Sequence, residues 1–158
     1  NLYIIKRRMY LKKIFTLRYW ILIIFSVIIF VILSGIGMGV PIINILFGFF
    51  VGWYSTRRAQ TLYSEQKKRF SKIFIYSLFC AGITLIIMLA IWGSTIPVLF
   101  DPTADLANFG HPMILFDPRT SFIGWLVLMI IISPILQLMT SMFAAFITLM
   151  RSKAEFLR

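Results

Sequence analysis

Four apolar runs lie along the chain, the first two joined by a glycine-rich stretch and the others separated by polar segments. They cover about 19–38, 39–56, 73–96 and 122–150. Each run is apolar on every face instead of along one helical stripe or at alternate positions, which is typical of helices surrounded by lipid. A helix needs roughly 20 apolar residues to cross a hydrocarbon core of about 30 Å. The pattern predicts an all-α integral membrane protein with four transmembrane helices in a small bundle.

The four runs differ in how well their lengths match a bilayer. The first and third have the length of one crossing. The second is short and glycine-rich, and it becomes long enough only if its helix continues through Ser55 and Thr56 into the basic segment that follows. The fourth is longer than one crossing, so we expect it to tilt, kink or project beyond the bilayer. Open strands are excluded because lipid offers no partner for free backbone groups.

The basic residues are confined to three segments, which predicts the orientation. The N-terminal segment, the 55–72 connection and the C-terminal tail hold six, six and three of the 16 Lys and Arg residues. The connection between the first two runs holds none, and the 97–120 loop holds only Arg119. Since Lys and Arg are retained on the cytoplasmic side, both termini and the 55–72 connection are predicted to be cytoplasmic. The cell membrane is the predicted location.

Composition supports the same class of protein and narrows its partners. Of the 158 residues, 60% are hydrophobic and 13% are charged, and the formal net charge is +11, whereas a soluble domain has about 25% charged residues. A basic surface suits nucleic acid or anionic lipid, and its position beside membrane spans favours lipid headgroups over nucleic acid. The predicted lipid-contacting cations of the connection are Arg57, Arg58, Lys67, Lys68 and Arg69.

The chain divides into a basic segment, 1–18, and a transmembrane domain, 19–158. The first 18 residues mix basic and bulky apolar side chains. This composition suits an amphipathic helix lying in the headgroup layer, and it equally suits an ordinary positively charged flank. The first apolar run is too long for a cleaved signal peptide and lacks a small-residue cleavage site.

The inventory of reactive groups is small, and it predicts neither an enzyme nor a cofactor. Cys80 is the only cysteine and His111 the only histidine, so an intrachain disulfide and a thiolate metal cage are excluded. No phosphate-binding GxxxxGK[ST] motif is present. Glycines at 35, 37 and 39 follow a membrane span, not a strand, and are expected to form a tight turn with Pro41.

Polar residues inside the predicted spans are few, and none is Asp, Glu, Lys, Arg or His. Proton-coupled transport and voltage sensing depend on such ionisable residues, so these functions are disfavoured. Asn44 and Gln137 are the two amides, and each is expected to face another helix because an unpartnered amide in lipid is costly. They serve either as hydrogen bonds between helices, which we favour, or as the polar lining of a substrate path.

Small residues and one proline predict where helices approach and deform. Gly48 and Gly52 form a small-xxx-small pair, with Ser141 and Ala145 as a similar pair on the fourth span. The pairs indicate either an internal contact or an oligomer face. Pro134 removes one backbone hydrogen bond, so the fourth helix is expected to bend there and the carbonyl near 130 needs another partner.

The predicted outer loop, 97–120, repeats Leu-Phe-Asp-Pro at 99–102 and 115–118. Asp-Pro favours a turn or a capped helix start, and the preceding Leu-Phe pair suits an anchor at the headgroup level. The competing interpretation is a site for a hard cation or a basic partner. Its candidate residues are Asp101, Asp105, His111 and Asp117.

Two functions follow from this pattern. The first is a non-enzymatic membrane protein that acts through helix and loop contacts, as a small subunit, an assembly factor or a homo-oligomer. The second is a small oligomeric transporter or channel for an uncharged or lipid-like substrate, for which Asn44, Pro134 and Gln137 would lie near the membrane centre. An enzyme acting at the membrane surface ranks third, since it would depend on Asp101, Asp105 or His111.

Overall fold

The computed structural model describes residues 15–36, 41–109 and 113–156, with only the backbone described at 19–20, 34–36 and 153–156. The described residues are helical and contain no strand. The helices are α1 (Tyr19–Ile36), α2 (Ile42–Leu62), α3 (Gln66–Trp92), a 3-10 helix (Gly93–Phe100), a 3-10 turn (Leu106–Asn108), α4 (Pro118–Val127), a π-helical turn (Leu128–Ile132) and α5 (Ser133–Phe156). The glycine turn at 35–39 lies largely outside the described side chains, as do residues 1–14 of the basic N-terminal segment.

Two rods dominate the part of the chain that the structure describes. One runs from Gln66 to Phe100 and the other from Pro118 to Ser152, and each is long and apolar enough to cross a membrane. Within α1, the residues Ile21–Leu33 form a shorter apolar stretch. Within α2, Asn44, Arg57 and Arg58 lower the hydropathy, although the helix continues beyond Thr56 to Leu62 as predicted.

Helix α2 lies at the centre of the packing. Its most extensive contacts are with α5, followed by those with α3, and α3 also packs against α5. Helix α1 contacts α2 and α3 less extensively. Ala59, Ile73 and Ala145 join α2, α3 and α5 in one buried cluster, while Phe30, Val51 and Cys80 join α1, α2 and α3 in another.

The described surface carries many large apolar side chains, and several polar side chains are buried. Asn44, Thr84 and Gln137 are completely buried. Large apolar side chains such as Ile86 and Phe146 are 67% and 59% exposed. Water would penalise this arrangement because contiguous apolar surface is costly to hydrate, whereas lipid solvates it.

Candidate functional site

Gly48 and Gly52 bring the backbones of α2 and α5 together. A Cβ atom at Gly48 would overlap the Thr140 hydroxyl oxygen and lie 2.7 Å from the Gln137 carbonyl oxygen. One at Gly52 would overlap the Ser141 carbonyl oxygen and lie 2.9 Å from the Ala144 Cβ. The pair therefore forms an internal contact between these helices, one of the two alternatives that the sequence leaves open.

A hydroxyl bridges the same contact. The Thr140 Oγ1 atom donates to the carbonyl oxygen of Ile45 at 2.8 Å and lies 2.9 Å from the Gln137 carbonyl oxygen. Because the glycines let the backbones approach, this bond can reach across the interface, which residue spacing alone does not show.

The two amides predicted to face other helices are both fully buried. Neither Nε2 nor Oε1 of Gln137 has a hydrogen-bond partner among the described residues. The hydroxyls of Ser77 and Thr84, two turns apart on one face of α3, are also buried without a partner there. The interior thus contains polar groups that are not saturated by the fold itself. Ser77 was not identified from the sequence, because a lone serine in an apolar run is common.

Pro134 follows the π-helical turn of the second rod, and the two features are linked. The Ser133 N–H donates to the Leu128 carbonyl, five residues earlier, and the Ser133 hydroxyl donates to the Met129 carbonyl at 2.5 Å. The carbonyl that receives a hydroxyl is therefore that of Met129, one residue before the predicted position, because the wider turn shifts the register.

The three aspartates of the 97–120 loop accept hydrogen bonds from backbone N–H groups two or three residues further along the chain. Asp101 accepts from Thr103 N at 2.8 Å, Asp105 from Asn108 N at 3.3 Å and Asp117 from Thr120 N at 2.7 Å. Asp117 caps α4 with Pro118 in its first turn, as predicted.

The side chains that follow the aspartates strengthen these turns. Hydrogen bonds from the Thr103 side chain and backbone lower the pKa of the Asp101 carboxyl, and those from Thr120 do the same for Asp117. Among the described residues, no group of three or more His, Cys, Asp or Glu side chains is placed to hold a metal ion. His111 lies outside the described residues.

The two Leu-Phe pairs expose their aromatic rings. Phe100 is 76% exposed and Phe116 is fully exposed. The Arg119 guanidinium donates to the Leu99 carbonyl at 2.9 Å and so ties the second repeat to the first. Leu99 packs against the cluster of Phe122, Leu126 and Ile130.

The five cations of the basic connection occupy different environments. Lys67 and Lys68 are exposed, and Lys68 pairs with Glu65 at 2.8 Å. Arg57 and Arg69 are half-buried, with the Arg69 Nε donating to the Tyr63 carbonyl at 2.6 Å. Arg58 is only 6% exposed. The sequence did not indicate this burial, because Arg57 and Arg58 are adjacent and carry the same charge after an apolar run.

Arg58 stands at one end of a cavity of about 370 Å³ between α1, α2 and α3. The guanidinium Nη1 donates to the Phe15 carbonyl at 3.0 Å and bonds the Tyr54 side chain. Apolar and aromatic side chains form most of the remaining wall, down to Phe47 and Cys80 at the other end.

Comparisons with known proteins do not extend this description. No protein-family model, no curated protein and no solved structure matches the chain.

Proposed function

We propose that the chain is a four-pass protein of the cell membrane with both termini and the 55–72 connection in the cytoplasm. The distribution of side chains supports insertion, since both amides and several hydroxyls are buried while many isoleucine and phenylalanine side chains are exposed. The three basic segments support the orientation. Helix α2 is the third crossing candidate by length, and its two arginines lie at the cytoplasmic end in this topology.

Cysteine labelling tests this topology. In a Cys80→Ala background, Ser64→Cys and Ala107→Cys place one thiol in each connection, at positions that are exposed in the structure. In intact cells, a membrane-impermeant maleimide is expected to label only the Ala107→Cys variant. Labelling of both positions without permeabilisation would contradict the four-pass arrangement.

Within the membrane, we propose a non-enzymatic role as a small subunit, an assembly factor or an oligomer. One supporting observation is that the carboxylates of Asp101, Asp105 and Asp117 accept hydrogen bonds within local turns. The other is that many large apolar side chains are exposed on the helices and are available for contact with another protein. The exposed cations Lys67 and Lys68 add attraction to anionic lipid at about 1 kcal/mol per charge.

Native mass spectrometry after mild detergent extraction tests this role. A constant heteromeric partner or a defined homo-oligomer is expected. Alanine at Asp105, a capping residue of a three-residue turn, should leave the assembly unchanged. A monomer with no partner at any detergent concentration would contradict the proposal.

The unpartnered amide of Gln137 favours a second candidate, a transporter or channel for a small uncharged solute. An unsaturated polar group in a membrane interior is a functional-site hypothesis because its desolvation is otherwise uncompensated. Gln137→Leu should then remain assembled but lose solute flux in proteoliposomes, while Ser152→Ala, outside the interior, keeps it. Unchanged flux in both variants would reject this candidate.

A further inference from the structure

We propose that the cavity between α1, α2 and α3 binds one anionic phospholipid, with an acyl chain in the apolar part and the phosphate on Arg58. The inference goes beyond the proposed role in assembly, and it rests on insertion in the membrane. Three features support it: a buried cation that has no acidic partner among the described side chains, the extent of the cavity, and the depth of the cation.

The first feature is the charge of Arg58. A guanidinium remains protonated in proteins, and burying such a charge is costly unless an opposite charge and hydrogen bonds compensate. Its bonds to the Phe15 carbonyl and Tyr54 are to neutral groups. Its Nε–H has no partner among the described residues. The guanidinium fork therefore keeps a donor available to a phosphate oxygen, the acceptor for which Arg is well suited.

The chain itself has few acidic residues that could neutralise Arg58. Glu65 is exposed and pairs with Lys68, and the three aspartates cap turns in the outer loop. The first 14 residues contain no acidic residue. Glu155, whose side chain is not described, is the remaining carboxylate, and it is tested below.

The second feature is the form of the cavity. Along α2 it extends from Phe47 to Arg58, which spans about 16 Å at 1.5 Å per residue. Its volume of about 370 Å³ lies at the lower end of the roughly 300–1,000 Å³ of ligand pockets. A mostly apolar space that follows about three turns of helix, with a cation at the last lining position of that helix, matches one acyl chain attached to a phosphate.

The third feature is the depth at which the cation lies. Phe15 and Leu17, which line the cavity near Arg58, immediately precede the first helix, where the chain enters the bilayer in the proposed topology. Arg58 is then close to the cytoplasmic headgroups, whose anionic lipids attract basic residues. The apolar wall points from that level towards the membrane centre.

Native mass spectrometry of protein extracted from vesicles of phosphatidylglycerol and phosphatidylcholine in equal amounts tests the proposal. A wash in 1 M NaCl reduces the Debye length to about 3 Å and removes lipid held only by exposed charges. We expect one retained phosphatidylglycerol per chain. Arg58→Gln should retain at least tenfold less. Arg57 lies outside the cavity wall, and the salt wash already removes any lipid held by its predicted surface contact, so Arg57→Gln should retain as much as the unaltered protein. Glu155→Gln should do the same.

A second variant separates loss of the site from loss of the fold. Ser26→Trp fills the apolar part of the cavity and keeps Arg58, and Ile24→Trp adds the same bulk on an exposed face of α1 outside the cavity. Circular dichroism reports folding of both. The first should lose the lipid and the second should keep it.

Several results would overturn the proposal. They are equal retention of the two lipids, equal losses in the Arg57 and Arg58 variants, retained lipid in the folded Ser26 variant, and increased lipid in the Glu155 variant, which would identify an internal counterion. The cysteine-labelling experiment tests the four-pass topology independently, so loss of the lipid proposal would not contradict that topology.

Discussion

Gln137 holds its side-chain amide inside the bundle with no hydrogen-bond partner among the described residues. Burial of such an amide costs about 1–3 kcal/mol, and leucine has a similar volume without the polar atoms. Gln137→Leu is therefore expected to keep or raise the free energy of unfolding in detergent by up to about 1–3 kcal/mol. Thr140→Val, which removes the bond to the Ile45 carbonyl, should lower it by about 0.6 kcal/mol.

The measurement is equilibrium unfolding of both variants in mixed micelles, followed by circular dichroism. A larger loss for Gln137→Leu than for Thr140→Val would show that the amide makes bonds in the folded state. The sequence predicted that Gln137 faces inward. It did not predict that the amide lacks a partner among the described residues, because this depends on which nearby carbonyls already accept hydrogen bonds within their own helices.

Asp117 offers a pH-dependent test of the outer loop. Its carboxylate accepts from Thr120, which lowers the pKa below the ordinary value of 3.8. A depressed pKa means that the stabilising charge is present above pH 3.8 and is lost as the pH falls through the lower folded-state value. Amide exchange at Thr120 should stay slow from pH 7 to pH 5, after correction for intrinsic rates, and rise in more acidic buffer.

Substitution separates the charge from the capping bond. Asp117→Asn keeps a side-chain acceptor and should retain slow exchange at every pH, while Asp117→Ala should exchange fast at all of them. If the asparagine variant exchanges as fast as the alanine variant, the carboxylate charge is required and a neutral capping acceptor is not sufficient. The cap was foreseeable from sequence because Asp-Pro has strong local preferences that need no tertiary information.

The packing of α2 against α5 depends on the absence of side chains at two positions. Gly52→Ala would drive a methyl into the Ser141 backbone carbonyl, and backbone cannot move aside as a flexible side chain can. We expect a loss of about 1–3 kcal/mol in stability. Gly82→Ala is the matched control, because nothing lies within 4 Å of that position, and it should be neutral or stabilise α3 by about 0.5–1 kcal/mol.

Unfolding of the two glycine variants under identical detergent conditions checks this difference. Equal stabilities would mean that α2 and α5 separate in solution. Here the glycine spacing predicted a close approach, and the structure supplies the partner. The π-helical turn before Pro134 was not foreseeable in the same way, since proline predicts a lost bond but not whether the chain responds by a bend or by a change of register.

The Arg58 cavity could not be predicted from the sequence either, because local sequence patterns do not show how helices pack. Two adjacent arginines after an apolar run resemble an ordinary cytoplasmic flank, and the 100° rotation between neighbouring residues on a helix turns one outward and the other inward. Which one faces inward depends on how α1 and α3 pack on α2. Helix existence was readable from local composition, whereas the site depends on contacts between segments far apart in the chain.

In the proposed topology, the loop at 97–120 predicts how deeply the protein lies in the bilayer. Phe116 is fully exposed, and an aromatic ring exposed in this way is stabilised at the headgroup level. Phe100 is 76% exposed in the equivalent position of the first repeat. If both rings rest in the interface, position 116 is lipid-accessible, while Ala107, on the exposed 3-10 turn between the repeats, projects into water.

Spin labels on Phe116→Cys and Ala107→Cys, in the Cys80→Ala background, test this arrangement in proteoliposomes. Oxygen, which concentrates in lipid, should relax the label at 116 more strongly, and a water-soluble nickel chelate should relax the label at 107 more strongly. Equal nickel accessibility at both positions would place the whole loop in water. The hydrogen bond from Arg119 to the Leu99 carbonyl links the two repeats. Arg119→Ala should therefore raise the nickel accessibility of the label at 116 towards that of the label at 107. This result would show that one hydrogen bond helps to hold the ring of Phe116 at the headgroup level.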